Sequence, residues 1–159
     1  MPQITIEYMI MIPMLILQIF LFPLTAGWIM NTWVDSRQTL ALQETASHLG
    51  SAVHQVYSAL NHESISAGAV TNRLEIPPFI EGYAYTGNAS LRDAAANSSR
   101  ILDITLRFKG SQIEATTSVT LGQNVAWDQD SEFMSNSTYA RLIAEKLSND
   151  TILMYFEGD

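Results

Sequence analysis

The feature that most constrains this chain is an apolar run from Ile4 to Val34, in which Glu7 is the only charged side chain. About 20 apolar residues are enough for a helix to cross the hydrocarbon core of a bilayer. A secretory signal peptide has a shorter apolar region, of roughly 7–15 residues, with a basic segment before it. The run therefore predicts a helix that spans a membrane or is covered by other apolar helices.

Three residues interrupt the apolar run. Glu7 is a carboxylate in apolar surroundings, which is costly unless it is paired or lies at the membrane surface. Pro13 and Pro23 each remove one backbone donor and crowd the preceding turn. Because Thr25 and Gly27 follow Pro23, we expect the helix to be kinked or locally unwound there.

The helical pattern continues beyond the apolar run. Apolar residues recur at steps of three and four between Leu42 and Leu60, with polar residues between them. This period indicates an amphipathic helix whose apolar face is buried against another part of the protein or a neighbouring molecule. No proline or glycine-rich linker separates the two parts, so the sequence predicts one helix from Ile4 to Leu60, about 85 Å long at 1.5 Å per residue.

The remainder of the chain has the alternation that is typical of strands. We predict strands at residues 80–86, 101–108, 113–121 and 151–156, with a turn at residues 109–111. Residues 138–147 are predicted as a short helix capped by Ser137 or Thr138. The sequence thus predicts an α+β fold, in which a helical domain (1–62) precedes a small head of mostly antiparallel sheet (63–159).

Composition argues against several classes of function. The formal net charge is −8, and binding to nucleic-acid phosphates requires an excess of Lys and Arg instead. Cysteine is absent, which excludes disulfides, thiolate zinc sites and cysteine nucleophiles. No nucleophile–base motif, phosphate loop or nucleotide fingerprint is present, so we expect neither an enzyme nor a cofactor.

Two groups of residues contain side chains of the kinds that bind metals. His48, His54 and His62 are six and eight residues apart, whereas zinc pairs on a helix are three or four apart. Alternating carboxylates from residue 128 to 132 are oxygen ligands of the kind that calcium uses, but the glycine and ligand pattern of an EF-hand is missing. We therefore expect no metal, and a solvated acidic loop is favoured over a site for these weak candidates: Asp128, Asp130 and Glu132.

Four Asn-x-Ser/Thr sequons occur at Asn88, Asn97, Asn136 and Asn149, all in the head and none in the helix. They predict an extracellular surface that carries N-linked glycans. The positive-inside tendency points the other way, since Arg37 is the basic residue nearest to the apolar run. A basic leader upstream of this sequence would reconcile the two indications.

The N-terminus carries a family likeness. Gln3-Ile4-Thr5-Ile6-Glu7, followed by the apolar run, resembles the Gln-x-Ser-x-Glu start of mature archaeal type IV pilins with a class III signal peptide. Thr5 stands where that family usually has Ser. The segment from Leu74 to Tyr85 looks like a Pro-then-Gly-x-x-Tyr pattern of those pilin heads. Glu7 with Pro13 also resembles the pseudopilins of tight-adherence systems.

The resemblance implies a structural subunit of an extracellular filament that polymerises with itself, with adhesion as its role. A prepilin peptidase would cleave before Gln3 or upstream of Met1, and the pilus assembly machinery would extract the subunit from the membrane. The freed amine of Gln3 would pair with Glu7 of a neighbouring subunit, and Pro13 and Pro23 complete the assembly residues. Two alternatives remain: a single-span membrane protein with a binding ectodomain, and a minor pseudopilin that primes filaments.

Overall fold

The computed structural model describes the backbone of residues 3–94 and 99–158, with side chains from residue 8 onward within these ranges. In this part of the chain one helix is followed by eight strands, which confirms the predicted α+β class with a long N-terminal helix. The elements are α1 (Gln3–Leu60), β1 (Gly68–Arg73), β2 (Tyr85–Asp93), β3 (Arg100–Phe108), β4 (Glu114–Leu121), β5 (Val125–Trp127), β6 (Glu132–Met134), β7 (Arg141–Lys146) and β8 (Ile152–Glu157).

The chain divides into two compact units, Met1–Arg37 and Gln38–Asp159. The second half of α1 therefore belongs to the same unit as the head, a name that we keep for residues 63–159. The predicted domain boundary at residue 62 follows the change from helix to strand. The boundary between the compact units instead lies inside the helix, between Arg37 and Gln38, and Gln38 is the first buried residue of α1 among those whose side chains are described.

One face of the second half of α1 is buried. The apolar stripe that the sequence predicts is at most 7% exposed along its whole length, and it joins the buried side chains of both sheets in one core. The spacing of three and four residues places these side chains on one side of the helix, so that the other side remains polar and exposed. The stripe consists of Leu42, Ala46, Leu49, Val53, Val56 and Leu60.

The head contains two four-stranded sheets rather than the one small sheet that the sequence suggested. Their strand orders are β1-β7-β8-β5 and β4-β3-β2-β6. Neighbouring strands are antiparallel, except that β5 runs parallel to β8. In the sheet β1-β7-β8-β5, only β8 was among the predicted strands. Residues of β7 were predicted as a helix, β1 was not predicted, and β5 is only three residues long, too short to show an alternating pattern.

Several predicted strands are confirmed. β3 buries alternate side chains, and β4 pairs with it through the predicted turn, where Gly110 has a φ of +81°. β8 corresponds to the predicted final strand. In β3 the alternation separates an inner face of large apolar residues from an outer face of polar ones; the inner face is Leu102, Ile104, Leu106 and Phe108.

The helix predicted at residues 138–147 is wrong, because residues 141–146 form β7. Leu142, Ala144 and Lys146 are buried and alternate with more exposed neighbours, which is the period of a strand. β1 and β8 pair with β7 on either side. Two ladders of backbone hydrogen bonds thus override the helix propensity of Leu, Ala, Glu and Lys. Ser137, proposed as a helix cap, lies in the turn after β6.

The strand predicted at residues 80–86 begins later than expected. Ile80 and Tyr83 exchange backbone hydrogen bonds of 3.0 and 2.9 Å across a two-residue turn. Glu81 and Gly82 occupy that turn with φ of 51° and 85°, as a type I′ turn requires. The strand itself, β2, starts at Tyr85 and continues well past the predicted end.

Candidate functional site

The fold leaves one large apolar surface uncovered. This surface is the apolar segment, which we define as residues 8–34 of α1; every side chain in it is exposed. Even Val34, the least exposed of its large apolar side chains, is 40% exposed. Within the described residues, α1 is the one helix long and apolar enough to cross a membrane. Soluble monomers rarely expose so extended an apolar surface, so the segment needs lipid or other protein around it.

Both prolines of the apolar segment lie inside a helix that is unbroken from residue 3 to residue 60. Local unwinding at Pro23 therefore does not occur. Thr25 lies one half-turn later, and its hydroxyl donates to the carbonyl oxygens of Leu21 at 3.1 Å and Phe22 at 3.0 Å. These bonds reinforce the turn around Pro23, but they do not reach the Ile19 carbonyl, four residues before Pro23, which has no amide donor from the proline.

The other two assembly residues predicted from the sequence are Gln3 and Glu7. Both belong to α1, which begins at Gln3. Their side chains lie outside the described residues, so the pairing of the Gln3 amine with Glu7 stays a prediction.

Aromatic and basic side chains mark the end of the apolar segment. Trp28 and Trp33 are exposed near it, and the guanidinium carbon of Arg37 lies 5.0 Å from the centre of the Trp33 ring. Such a distance permits a cation–π contact. Trp and Arg are the residues that gather where a membrane helix meets the polar headgroups.

The C-terminal end of α1 is fixed to the head by a polar network. The Tyr57 hydroxyl accepts from the Gly122 amide at 3.1 Å and donates to the side chain of Asn124 at 3.3 Å. The Asn124 amide in turn donates to Asn61 at 2.9 Å and to the Asp150 carbonyl at 3.1 Å. This network could not be predicted from the sequence, since no local pattern reports on polar pairs that are 26 to 67 residues apart.

The Pro77–Tyr83 loop is part of the Leu74–Tyr85 segment whose sequence resembles pilin heads, and two of its carbonyls are hydrogen-bonded to the sheet. The Tyr85 hydroxyl donates to Pro77 at 2.7 Å, and the Ser135 hydroxyl donates to Pro78 at 2.9 Å. Burial raises the pKa of the Tyr85 hydroxyl well above its ordinary value. The loop is therefore a fixed part of the head, with Phe79 and Tyr83 exposed on it.

Ion pairs cross the outer faces of the sheets. Arg92 donates to Asp103 at 2.6 Å, and Arg141 donates to Glu157 at 2.6 Å. The hydrogen bond from Arg92 lowers the pKa of the Asp103 carboxyl, against the opposing effect of its partial burial. The Asp103 side chain is 22% exposed and the other three are 42–57% exposed, so each pair adds little to stability and serves mainly to keep the strands in register.

Three of the four predicted glycosylation sites lie in the described part of the head, and all three side chains are exposed. Asn88 is on β2, opposite Thr105 of β3 and Glu132 of β6. Asn136 follows β6, and Asn149 lies in the turn between β7 and β8, where its side-chain oxygen accepts from the Thr151 amide. Asn97 lies outside the described residues.

The weak metal candidates do not come together. Asp128 folds back on its own loop, because its carboxylate accepts from the Asp130 amide at 3.2 Å. Among the described residues, no group of three or more His, Asp or Glu side chains could hold a metal, and Glu132 belongs to none. The three histidines are exposed, and the His62 ring is 2.8 Å from the hydroxyl of Ser64.

No protein-family model, curated protein or solved structure matches this chain.

Proposed function

We propose that this protein is the structural subunit of an extracellular filament of the type IV pilus kind. The apolar segment would bundle with those of sister subunits to form the filament core, and the heads would form the outer surface. The observation that carries the proposal is the complete exposure of residues 8–34 on a helix whose continuation is packed into a β-rich head.

The energetics favour a subunit that can move between two apolar environments. Before assembly, the segment would lie in a membrane, which a helix of this length and composition can cross. In a filament, the same surface would be covered by identical helices. Burial of apolar area changes little in such a transfer, so close packing and pairing of polar groups decide the direction.

Glu7 supplies one such pairing. A carboxylate alone in an apolar setting is costly, and the apolar run contains no Lys or Arg to pair with it. An N-terminal amine from an incoming subunit would provide the missing cation and set the axial position of that subunit. The four sequons support an extracellular head, where N-linked glycans would cover part of the outer surface.

The first experiment is to shear cells and compare filaments with membranes. A structural subunit appears in bulk in the sheared fraction and forms filaments that are visible by electron microscopy. A single-span protein with a binding ectodomain stays in the membrane, and this result would contradict the proposal.

The matching variants are Leu17→Lys and Leu147→Lys. Leu17 is 62% exposed in the apolar segment, and Leu147 is a 38% exposed leucine of the head. Leu17→Lys should abolish filaments while the head remains folded, because a charge in an apolar helix bundle is strongly unfavourable. Leu147→Lys, the control, should assemble normally. Filaments of normal length from Leu17→Lys would show that the segment is not the packing surface.

Glu7→Gln and Glu7→Leu test the pairing in a strain that lacks the native subunit. Both should insert in the membrane and fold, and Glu7→Leu should insert at least as well as the native chain. Neither should be incorporated efficiently, because the incoming amine has no carboxylate to meet. A normal filament yield from both variants would make Glu7 merely a residue of the membrane surface.

A further inference from the structure

A line of polar side chains runs along one side of the apolar segment and just beyond it. Gln18, Thr25 and Thr32 are seven residues apart, and Ser36 follows four residues later. Seven residues are close to two turns of a helix, so these four side chains project within about 40° of one another. All four are exposed. The remaining Asn, Gln, Ser or Thr of the segment is Asn31, which lies off this line.

The hydroxyls of this line are satisfied within α1. Thr25 donates to carbonyls of the preceding turn, Thr32 donates to Trp28 at 3.0 Å, and Ser36 donates to Thr32 at 2.8 Å. Such side chains can enter apolar surroundings at small cost because their donors are already paired. They are also small enough to let a second helix approach closely.

Gln18 differs from the other members of the line. Its side-chain amide has two donor hydrogens and one acceptor oxygen, and no hydrogen-bond partner within the described residues. A membrane or a helix bundle offers no water to satisfy this amide. An unpaired amide is costly in such surroundings, so its partner must come from another molecule.

We propose that this polar line is the seam along which α1 packs, in parallel, against α1 of a second copy of the chain. The amides of the two Gln18 side chains are hydrogen-bonded to each other across the seam. This inference rests on the proposed function, because it describes two subunits held in the membrane before assembly. In the filament, the pairing of the Gln3 amine with Glu7 would instead offset neighbouring subunits along the axis.

The seven-residue spacing is the reason for choosing a second copy as the partner. Two helices that coil around each other return to the same contact every seven residues. When two copies lie parallel at the same height, Gln18 faces Gln18, Thr25 faces Thr25 and Thr32 faces Thr32. A primary amide both donates and accepts, so two identical amides satisfy each other.

The opposite side of the segment contains Ile16, Phe20 and Val34, whose side chains have no polar atoms. Polar residues of membrane helices face the interior of a bundle, and apolar ones face lipid. The two sides of this segment therefore suit different neighbours: a second α1 along the polar line, and lipid or further subunits on the side of Phe20.

Cysteine cross-linking of the full chain in membranes tests the seam directly, since the native sequence contains no cysteine. Thr25→Cys places a thiol on the line. Gly27→Cys, the matched control, lies two residues later and about 160° around the helix, with open space for its side chain. Oxidation should give several-fold more disulfide-linked dimer with Thr25→Cys. Equal yields, more dimer from Gly27→Cys, or a product of Thr25→Cys that is not twice the chain's mass would overturn the proposal.

Gln18→Leu tests the amide pair. Self-association of labelled full-length chains in vesicles, measured by energy transfer, should weaken about tenfold, as expected for an interhelical hydrogen bond in a membrane. Gln18→Asn should retain part of the association, and Phe20→Leu on the opposite side should change it little. Unchanged association of Gln18→Leu would overturn the amide pair.

Electron microscopy of the same variants separates the seam from the filament. If filaments are normal but the cross-linking yield does not depend on position along the polar line, the seam is contradicted and the proposed function stands. If the cross-linked dimers depend on the polar line but the native chain forms no filaments, the seam stands and the proposed function is contradicted.

Discussion

Tyr85 shows how a single buried residue holds the head together. Its hydroxyl donates to the Pro77 carbonyl at 2.7 Å, and its backbone amide donates to the hydroxyl oxygen of Ser135 at 2.9 Å. The side chain is fully buried at the start of β2. The Pro77–Tyr83 loop, the first residue of β2 and the residue after β6 are thus linked through one tyrosine.

Tyr85→Phe should lower the free energy of unfolding at neutral pH by about 1 kcal/mol, because the partly buried hydrogen bond to the Pro77 carbonyl is lost. The native advantage depends on pH. Burial raises the pKa of Tyr85 in the folded protein above its unfolded value, so the folded state holds the proton more tightly. The native chain therefore loses stability as the pH rises above about 10, where the unfolded tyrosine ionises.

The measurement is denaturant unfolding of both proteins at neutral pH and near pH 11, followed by circular dichroism. The difference between them should shrink at the higher pH, since phenylalanine has no proton to lose. A difference that is constant between the two pH values would mean that the hydroxyl is not protected by burial.

At the scale of elements, β2 depends on a glycine that allows close packing. A Cβ on Gly87 would overlap the ring of Phe133 and approach Leu106 on β3. Phe133 packs edge-on against Phe156, which does the same with Trp127. The aromatic cluster beneath the sheet therefore sits where a side chain at residue 87 would otherwise be.

Gly87→Ala should destabilise the head by about 1–3 kcal/mol, because the Phe133 ring must move out of a packed core. Gly68→Ala is the matched control: Gly68 is also in a strand, β1, but a Cβ there meets nothing within 4 Å. The control should leave the melting temperature unchanged or slightly raised, since alanine restricts the unfolded chain more than glycine does. Equal losses in the two variants would show that the Phe133 contact does not limit the packing.

Elements with a strong and uninterrupted period could be predicted from the sequence. α1 and β3 have one, since their apolar residues recur at the helix period and the strand period respectively. The sequence of β7 predicts a helix because its residues favour helices, and its neighbour β1 lies about 70 residues earlier in the chain. Whether such residues form a helix or a strand is decided by pairing with strands elsewhere in the chain, and a short stretch of sequence carries no information about that pairing.

At the scale of the molecule, the composition of the sequence is enough to identify the apolar segment. Its polar line is recognised only when the residues are placed around a helix. The attachments that hold α1 to the head were not predictable. Gln43 donates to the Thr116 carbonyl at 3.2 Å, and Tyr57 reaches Gly122, each across a long stretch of chain. These contacts exist only because the sheets bring β4 and the following turn beside the helix.

The division into two units leads to a prediction about which part of the chain folds alone. All the buried apolar side chains among the described residues lie between Leu42 and Phe156, so the core is complete without residues 1–37. A fragment of residues 38–159 should be soluble without detergent and should unfold cooperatively, because the apolar segment is absent and the stripe of α1 remains to cover the sheets.

The matched control is a fragment of residues 61–159, which keeps every strand and removes the whole helix. It should aggregate or bind hydrophobic dyes, because the side chains that faced Leu42, Leu49, Val53 and Leu60 lose their cover. Circular dichroism and sedimentation of the two fragments distinguish the outcomes. A stable, monomeric 61–159 fragment would mean that the second half of α1 lies on a head that is already complete. If the 38–159 fragment is monomeric and 61–159 is not, then the helix that is proposed to join subunits is also, in its second half, a structural part of the domain that it carries.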